Sequence, residues 1–328
     1  MDVADISLFA LNCGSDLASR VAAGLDLPLG RHEEREFEDG EHKIRPLESV
    51  RGRDVFIVQS LHDEPAGSVN DKLCRLLFFI GALKDAAAAR VTAVVPYLSY
   101  ARKDRKTQPR DPVTTRYVAK LFESVGTDRV MTVDVHNLAA FQNAFRCQTE
   151  HLEARVLFVR HFAQRMRGES VAVVSPDVGG VKRAELFRRA LAGVLGREVD
   201  MAFIEKERAL GKVTTGALVG EVSGRIAIIV DDLISSGTTI ARAASVCRTA
   251  GAVSVFAVAT HGLFVADAEA VIAKAPIERV LVTDTVPAFR IAGQAARAKL
   301  EILDIAGFLA EAIRRLNADE SLVELNQA

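Results

Sequence analysis

VDDLISSGTT (Val230–Thr239) follows the β-branched apolar run IAIIV (Ile226–Val230) with two adjacent carboxylates, then enters a loop of small hydroxylic residues. A run of this length and composition, set between Gly224 and Asp231, predicts a strand buried on both faces, as in a parallel sheet. After the loop, TIARAASVCRTAGA predicts a helix. Ile240, Ala243, Ala244, Val246 and Cys247 form its apolar stripe, and Gly251 supplies a stop. Asp231, Asp232 and the loop therefore stand at a strand's C-terminal end, just before a helix N-terminus. Open α/β sheets bind ligands there.

The first turn of a helix carries about four N–H groups without intrahelical partners, and a partial positive charge. The hydroxyls of Ser235, Ser236, Thr238 and Thr239 add donors, and Gly237 lets a ligand approach the backbone. That set fits a phosphate monoester. Asp231 and Asp232 suit the opposite chemistry, since carboxylates accept hydrogen bonds from sugar hydroxyls or hold a divalent cation. One end of the loop thus suits a ribose and the other its 5-phosphate. The plain alternative is a strand-end turn with an N-cap and two solvated acids.

The length of 328 residues predicts two domains, and a hydrophobic content of 49% is enough for two cores. The 42 Lys and Arg nearly balance the 43 Asp and Glu, which excludes a general electrostatic field for nucleic acid or membrane. Apolar runs such as RVTAVVPYL are too short to span a bilayer, and MDVADISLFALNCGSDLA has acids where a secretion signal needs bases. Cys13, Cys74, Cys147 and Cys247 are scattered without a CxxC pair, which predicts free thiols in a reducing, cytoplasmic compartment.

Short apolar runs recur along the chain: ISLFAL, DVFIVQS, RVTAVVPYLSY, RVMTVDVH, SVAVVSPD, MAFIEKE, RIAIIVDD, VSVFAVATHG and ERVLVTDT. Helix-like segments lie between them, such as VNDKLCRLLFFIGALKDAAAA and VKRAELFRRALAGVL, where Leu186, Phe187, Ala190 and Leu191 share a face. This alternation predicts an α/β fold of parallel sheets flanked by helices. Four of the runs end in polar clusters, PYLSYARKDRK, VDVHN, SPDVGGVKR and VDDLISSGTT, with two in each half of the chain. The expected organisation is two similar lobes, residues 1–150 and 151–328, divided near Glu150 and offering their strand ends to a common crevice. In the last helix, FLAEAIRRLN, Leu309, Ile313 and Leu316 form a core-packing face.

Arg102, Lys103, Arg105 and Lys106 surround Asp104 after a strand, a density of cation suited to a polyphosphate or to a solvated basic turn. His136 directly follows the strand VMTVD, where an imidazole can ligate a metal, touch a phosphate or serve structure alone. Asp177, with Gly179 and Gly180 behind it, is a second carboxylate for Mg2+ or part of a tight turn. EKERALGKVTTG (Glu205–Gly216) carries Lys206, Arg208 and Lys212. It reads equally as a mobile cationic loop that closes on a transferring phosphoryl group and as an ordinary hairpin.

Taken in order, these motifs resemble the ribose-phosphate pyrophosphokinase (phosphoribosyl-pyrophosphate synthetase) family nearly end to end. FEDGEHKIRPLESVRGRDVFIVQS, VPYLSYARKDRK, TVDVH, VVSPDVGGVKRA, VDDLISSGTT and ATHGLF follow the family's sequence of blocks. The resemblance implies two type I phosphoribosyltransferase-like lobes, each a mainly parallel sheet flanked by helices. It implies Mg-dependent transfer of the β,γ-diphosphoryl group of ATP to the 1-hydroxyl of ribose 5-phosphate, with release of AMP. Asp231 and Asp232 would hold the ribose hydroxyls with Mg2+, and Ser235, Ser236, Gly237, Thr238 and Thr239 would cradle the 5-phosphate. His136 and Asp177 would match the metal contacts. Arg102, Lys103, Asp104, Arg105 and His136 would line the ATP side. Phe37, Asp39 and Glu41 would match an adenine-contacting loop donated by a neighbouring subunit in a homo-oligomer, dimer or hexamer. Lys206 and Arg208 would match the catalytic loop cations.

The chain departs from the family pattern with Ser235-Ser236 where Asp-Thr is usual, Lys103 where Gln is common, and altered segments at HNLAAFQNAF and ALKDAAAA. The first change alters the 5-phosphate pocket and leaves open another 5-phosphoribosyl acceptor. A type I phosphoribosyltransferase shares the acid-pair loop but needs neither YARKDR nor FEDGE. A catalytically silent, synthetase-associated paralogue would not need Lys206, Arg208, His136 and both loop acids.

Overall fold

The computed structural model describes residues 6–205, 208–209, 212–213 and 216–327. The chain forms two compact units: residues 1–153 with 305–325, and residues 154–304 with 326–328.

The first unit contains β1 (Ile6–Ala10), α1 (Ser15–Gly24), β2 (His32–Glu36), β3 (His42–Pro46), β4 (Asp54–Val58), α2 (Val69–Asp85), β5 (Arg90–Val95), α3 (Thr114–Ser124), β6 (Arg129–Val133), α4 (Leu138–Ala144) and β7 (Gln148–Leu152). Five strands form a sheet in the order β1-β4-β5-β6-β7, every pair parallel. DVFIV and RVMTV are buried along their whole length, as β-branched runs covered on both faces must be. Ser68 and Asp71 form a reciprocal capping box that starts α2. β2 and β3 form a separate antiparallel hairpin.

The second unit contains α5 (Arg155–Arg165), β8 (Val171–Ser175), α6 (Val181–Leu195), β9 (Asp200–Ile204), β10 (Arg208–Ala209), β11 (Lys212–Val213), β12 (Leu218–Gly220), β13 (Ile226–Ile234), α7 (Thr238–Thr249), β14 (Ser254–Gly262), α8 (Ala268–Lys274), β15 (Arg279–Thr283), α9 (Gln294–Arg297) and β16 (Leu300–Leu303). Its main sheet runs β12-β9-β8-β13-β14-β15-β16, and only the edge strand β12 is antiparallel to its neighbour. From β8 the chain first adds β9 on one side and later β13 on the other. The order therefore reverses between β8 and β13, a topological switch point.

The nine apolar runs picked out in the sequence are all strands, in a mixed α/β fold of two mainly parallel sheets flanked by helices. On α6 the buried face is Ala184, Phe187 and Leu191; Leu186, expected beside Phe187, is 37% exposed.

The final helix, α10 (Ala306–Asn317), falls in the second lobe by sequence position but belongs to the first unit. Its buried Leu309, Ile313 and Leu316 form one apolar face, and α1 packs against the helix. A Cβ on Gly24 would stand 2.9 Å from the Ala310 Cβ, so glycine there lets the two helices close up. The join is fixed by polar contacts as well: Asn317 donates to Asp54 at 3.1 Å, and Arg90 pairs with Asp54 while donating to the Leu316 carbonyl at 3.3 Å. Among the described residues no helix is long and apolar enough to cross a membrane, and the four cysteines are unpaired.

Candidate functional site

β13 does not stop at Val230 but continues to Ile234. Leu233 and Ile234 pair with His261 and Gly262 of β14, so both acids sit within the strand itself, close to its C-terminal end. The Asp231 side chain is 21% exposed and that of Asp232 only 4%. The Asp231 carboxylate accepts the Asp232 backbone N–H at 2.9 Å. Burial first, and the charge of Asp232 second, push Asp231 from its ordinary 3.8 up to about 7. Arg183, in the first turn of α6, opposes that shift. Its Nη1 lies 3.4 Å from a carboxylate oxygen of Asp231 and 3.4 Å from one of Asp232.

Beyond Ile234 the chain turns through Ser235, Ser236 and Gly237 into α7. Gly237 is the N-cap, with φ 75° and ψ −10°, a left-handed conformation that costs glycine nothing, and it places no side chain over the first-turn N–H groups. The Ser236 and Thr238 hydroxyls lie 3.0 Å apart, so the loop's hydroxyls and the start of the helix form one cluster. A second layer supports the loop: Leu263 and Phe264 donate to the Ile234 carbonyl, and Val265 donates to the Ser235 carbonyl. Phe264 and Ala266 in that segment take φ of 47° and 52°, unusual for residues with a Cβ; the Phe264 side chain is buried.

Asp177 lies at the C-terminal end of β8, across the switch point. One oxygen caps the following turn, accepting the Gly180 N–H at 3.1 Å. A Cβ on Gly180 would stand 2.7 Å from Ser175 Oγ and 3.9 Å from Arg183 Nη1. That glycine therefore makes room for the protein's own side chains.

In the first unit, the ends of β5 and β6 carry the other polar cluster. Tyr100 takes φ 62° and its hydroxyl donates to Asn70 in the first turn of α2. Arg102 and Arg105 are both exposed. Lys103 is paired within its own loop: its Nζ donates to Asp111 at 2.8 Å. Asp111 also accepts from Thr107 N and Oγ1 and from Gln108 N, and these donors, Lys103 foremost, hold its carboxyl well below the usual range. His136 is exposed, and its neighbour Asn137 caps α4 while donating to Asp104 at 2.6 Å. Val135 N donates to His151 at 3.2 Å, so β7 fixes the approach to His136. The basic loop and the histidine thus share one strand edge.

Phe37, Asp39 and Glu41 stand at the exposed tip of the β2–β3 hairpin. The tip is closed by Phe37 N donating to the Glu41 carbonyl at 2.8 Å, with the Arg35 guanidinium 5.1 Å from the Phe37 ring centre. Arg75 of α2 pairs with Glu34 and Glu36, and Phe78 stacks on His42, which ties the hairpin to the helix. Lys206 lies outside the described residues. The backbone of Arg208 pairs through the β10–β11 hairpin.

Sequence reasoning passes over Asp111 and His151, and includes Arg183 and Asn137 only as members of the strand-end clusters SPDVGGVKR and VDVHN, without a role. Each is a single polar residue whose meaning comes from its neighbours in the fold. Only Asn137 carries a local signal, an N-cap directly after His136.

Residues 6–126 match the family model described as the N-terminal domain of ribose phosphate pyrophosphokinase, and residues 201–327 match the phosphoribosyl synthetase-associated domain. The chain is 38% identical to ribose-phosphate pyrophosphokinase 1 of Streptococcus pyogenes serotype M3 over 99% of its own length and 98% of the relative's. It is 39% identical to the ribose-phosphate pyrophosphokinase of Pasteurella multocida over 97% and 98%. The crystal structure of phosphoribosylpyrophosphate synthetase from Mycobacterium smegmatis matches with a TM-score of 0.86 at 36% identity, covering 96% of this chain and 99% of that one. With the acid pair and hydroxylic loop at the switch point and the basic strand edge in the other unit, this end-to-end likeness means that the chain belongs to the ribose-phosphate pyrophosphokinase family.

Proposed function

We propose that the enzyme transfers the β,γ-diphosphoryl group of ATP to the 1-hydroxyl of ribose 5-phosphate, giving 5-phosphoribosyl 1-diphosphate and AMP. The observation that carries this is the near full-length identity to proteins named ribose-phosphate pyrophosphokinase. The sugar O1 attacks the β-phosphorus, the bond from that phosphorus to the α,β-bridging oxygen breaks, AMP leaves with that oxygen, and the hydroxyl proton passes to solvent.

Asp231 and Asp232 accept the ribose hydroxyls, while the first turn of α7 and the hydroxyls of Ser235, Ser236, Thr238 and Thr239 bind the 5-phosphate. Arg102, Arg105 and His136 contact the ATP phosphates. Lys103 and Asp104 act mainly by holding that loop in shape, a role supported by their bonds to Asp111 and Asn137. Phe37, Asp39 and Glu41 contact adenine, across a subunit boundary in a homo-oligomer. Lys206 and Arg208 neutralise charge on the transferring group.

Among the described residues no three His, Cys, Asp or Glu side chains form a cation cage. That fits Mg2+, which binds through one or two carboxylates together with substrate phosphates. Asp177 and the acid pair in the second unit, and separately His136 in the first, are the residues proposed as donors to Mg2+, which when bound would neutralise phosphate charge. The four unpaired thiols support a cytoplasmic location.

The test is 31P NMR of the protein with ATP, Mg2+ and ribose 5-phosphate. The expected result is an anomeric diphosphate together with AMP. Product formed only from a different 5-phosphoribosyl acceptor would assign the Ser235-Ser236 pocket to that compound. Turnover of a preformed phosphoribosyl diphosphate without AMP would identify a phosphoribosyltransferase, and no turnover at all a silent paralogue.

A further inference from the structure

Asp231 and Asp232 are carboxylates on consecutive residues, one half-buried and one buried, and their mutual repulsion acts before any ligand arrives. Arg183 reaches both at 3.4 Å from a single nitrogen, Nη1. Its placement is built into the topology. β8 is hydrogen-bonded beside β13, so α6, which follows β8 after one tight turn, begins next to the end of β13. Gly180 lies beside the guanidinium, since an added Cβ there would stand in ordinary contact, 3.9 Å, with the same Nη1. A planar guanidinium can engage two acceptors from a fixed frame, whereas an ammonium is a point charge on a flexible stem.

We propose that Arg183 is a positioning residue for the sugar acceptor: it bridges Asp231 and Asp232 and holds the pair in one arrangement for the ribose hydroxyls. The inference rests on the reading of the acid pair as the ribose site. Arg183 acts through the two acids, so it serves acceptor binding and leaves the chemical step to other groups.

The experiment compares wild type, Arg183→Lys and Arg183→Ala by steady-state kinetics, by calorimetric titration with ribose 5-phosphate alone, and by thermal melting. Arg183→Ala is expected to raise KM and Kd for ribose 5-phosphate about tenfold or more, with KM for ATP unchanged and kcat within a few-fold. Arg183→Lys, which keeps the charge but loses the planar frame, should fall between. A lower kcat with unchanged KM for ribose 5-phosphate would put Arg183 on the transferring group and overturn the proposal. A lowered Tm with both KM values shifted together would reduce it to a fold contact. If the wild type binds ribose 5-phosphate but releases no AMP from ATP, the reaction assignment fails, while the titration still decides the role of Arg183.

Discussion

Replacing Asp231 by Asn should stabilise the metal-free protein at alkaline pH while abolishing acceptor binding. In the folded chain Asp231 is pushed from 3.8 to about 7, by burial first and by the Asp232 charge second. A carboxyl whose folded pKa lies above its unfolded value binds its proton more tightly when folded. Its contribution to stability is complete below the unfolded pKa and is lost as pH rises through the folded one. The difference of about 3 pH units corresponds to about 4 kcal/mol over the full range, at roughly 1.36 kcal/mol per unit. Between pH 5 and pH 8 the unfolded carboxylate is already ionised, so roughly 2–3 kcal/mol of that loss falls in this window. Asn is nearly isosteric, carries no charge at either pH, and keeps an oxygen to accept the Asp232 N–H. For a unit of this size, about 2–4 °C per kcal/mol converts the figure to roughly 5–10 °C in Tm. Circular-dichroism melts of both proteins at pH 5 and pH 8, in chelator and without substrate, measure it. The wild type should lose that much Tm relative to the variant as pH rises, and the variant should melt higher at pH 8. Parallel pH profiles would show that Asp231 titrates near its ordinary value, and the picture of a strained acid pair would be wrong.

Lys206→Ala should cut turnover by about 10³-fold or more, as removal of a charge-stabilising cation does in phosphoryl transfer, while ATP affinity by calorimetry stays within a few-fold. Asp111→Asn removes the negative charge that anchors Lys103 and that strengthens the three Thr107 and Gln108 contacts, all of which share one oxygen. It should raise KM for ATP several-fold with little change in KM for ribose 5-phosphate. Because the Asp111 carboxyl is held well below the usual range, that effect should be constant from pH 6 to 9. Gly180→Ala places a Cβ 2.7 Å from Ser175 Oγ and should lower stability by about 1–3 kcal/mol, read from the urea midpoint.

What is legible in the sequence is what each segment says about itself. IAIIV, VAVVS and RVMTV are buried strands because β-branched runs have no exposed face to spare, and the polar residues after them mark strand ends wherever they fall. The β2–β3 hairpin is illegible for the converse reason. HEERE and HKIRP carry almost no apolar signal, and the pair is held by cross-strand charges such as Glu33 with Lys43 and by the anchoring of Glu34 and Glu36 to Arg75. The apolar face of α10 is readable, but the partner of that face is not. Its place beside α1 depends on the missing Cβ at Gly24 and on a polar join to Asp54 and Arg90, residues more than 200 positions away.

The same distinction separates the two halves of the candidate site. The acids and hydroxyls of VDDLISSGTT lie within ten consecutive residues, so their joint chemistry can be read directly. Arg183 is one of three arginines in VKRAELFRRALAGVL, and nothing local sets it apart from Arg188 and Arg189, which pair with Glu185 on their own helix. Only the hydrogen bonding of β8 to β13 brings Arg183 against the acid pair. A switch point therefore does more than open a crevice. It sets the first turn of one strand's helix beside the end of the next strand, so a cation can offset an acid pair that would otherwise be costly to bury. The residual strain at Asp231 is what the sugar hydroxyls can relieve. On this account Asp231→Asn should gain stability and lose ribose 5-phosphate binding together; a variant that gained one without losing the other would break the link.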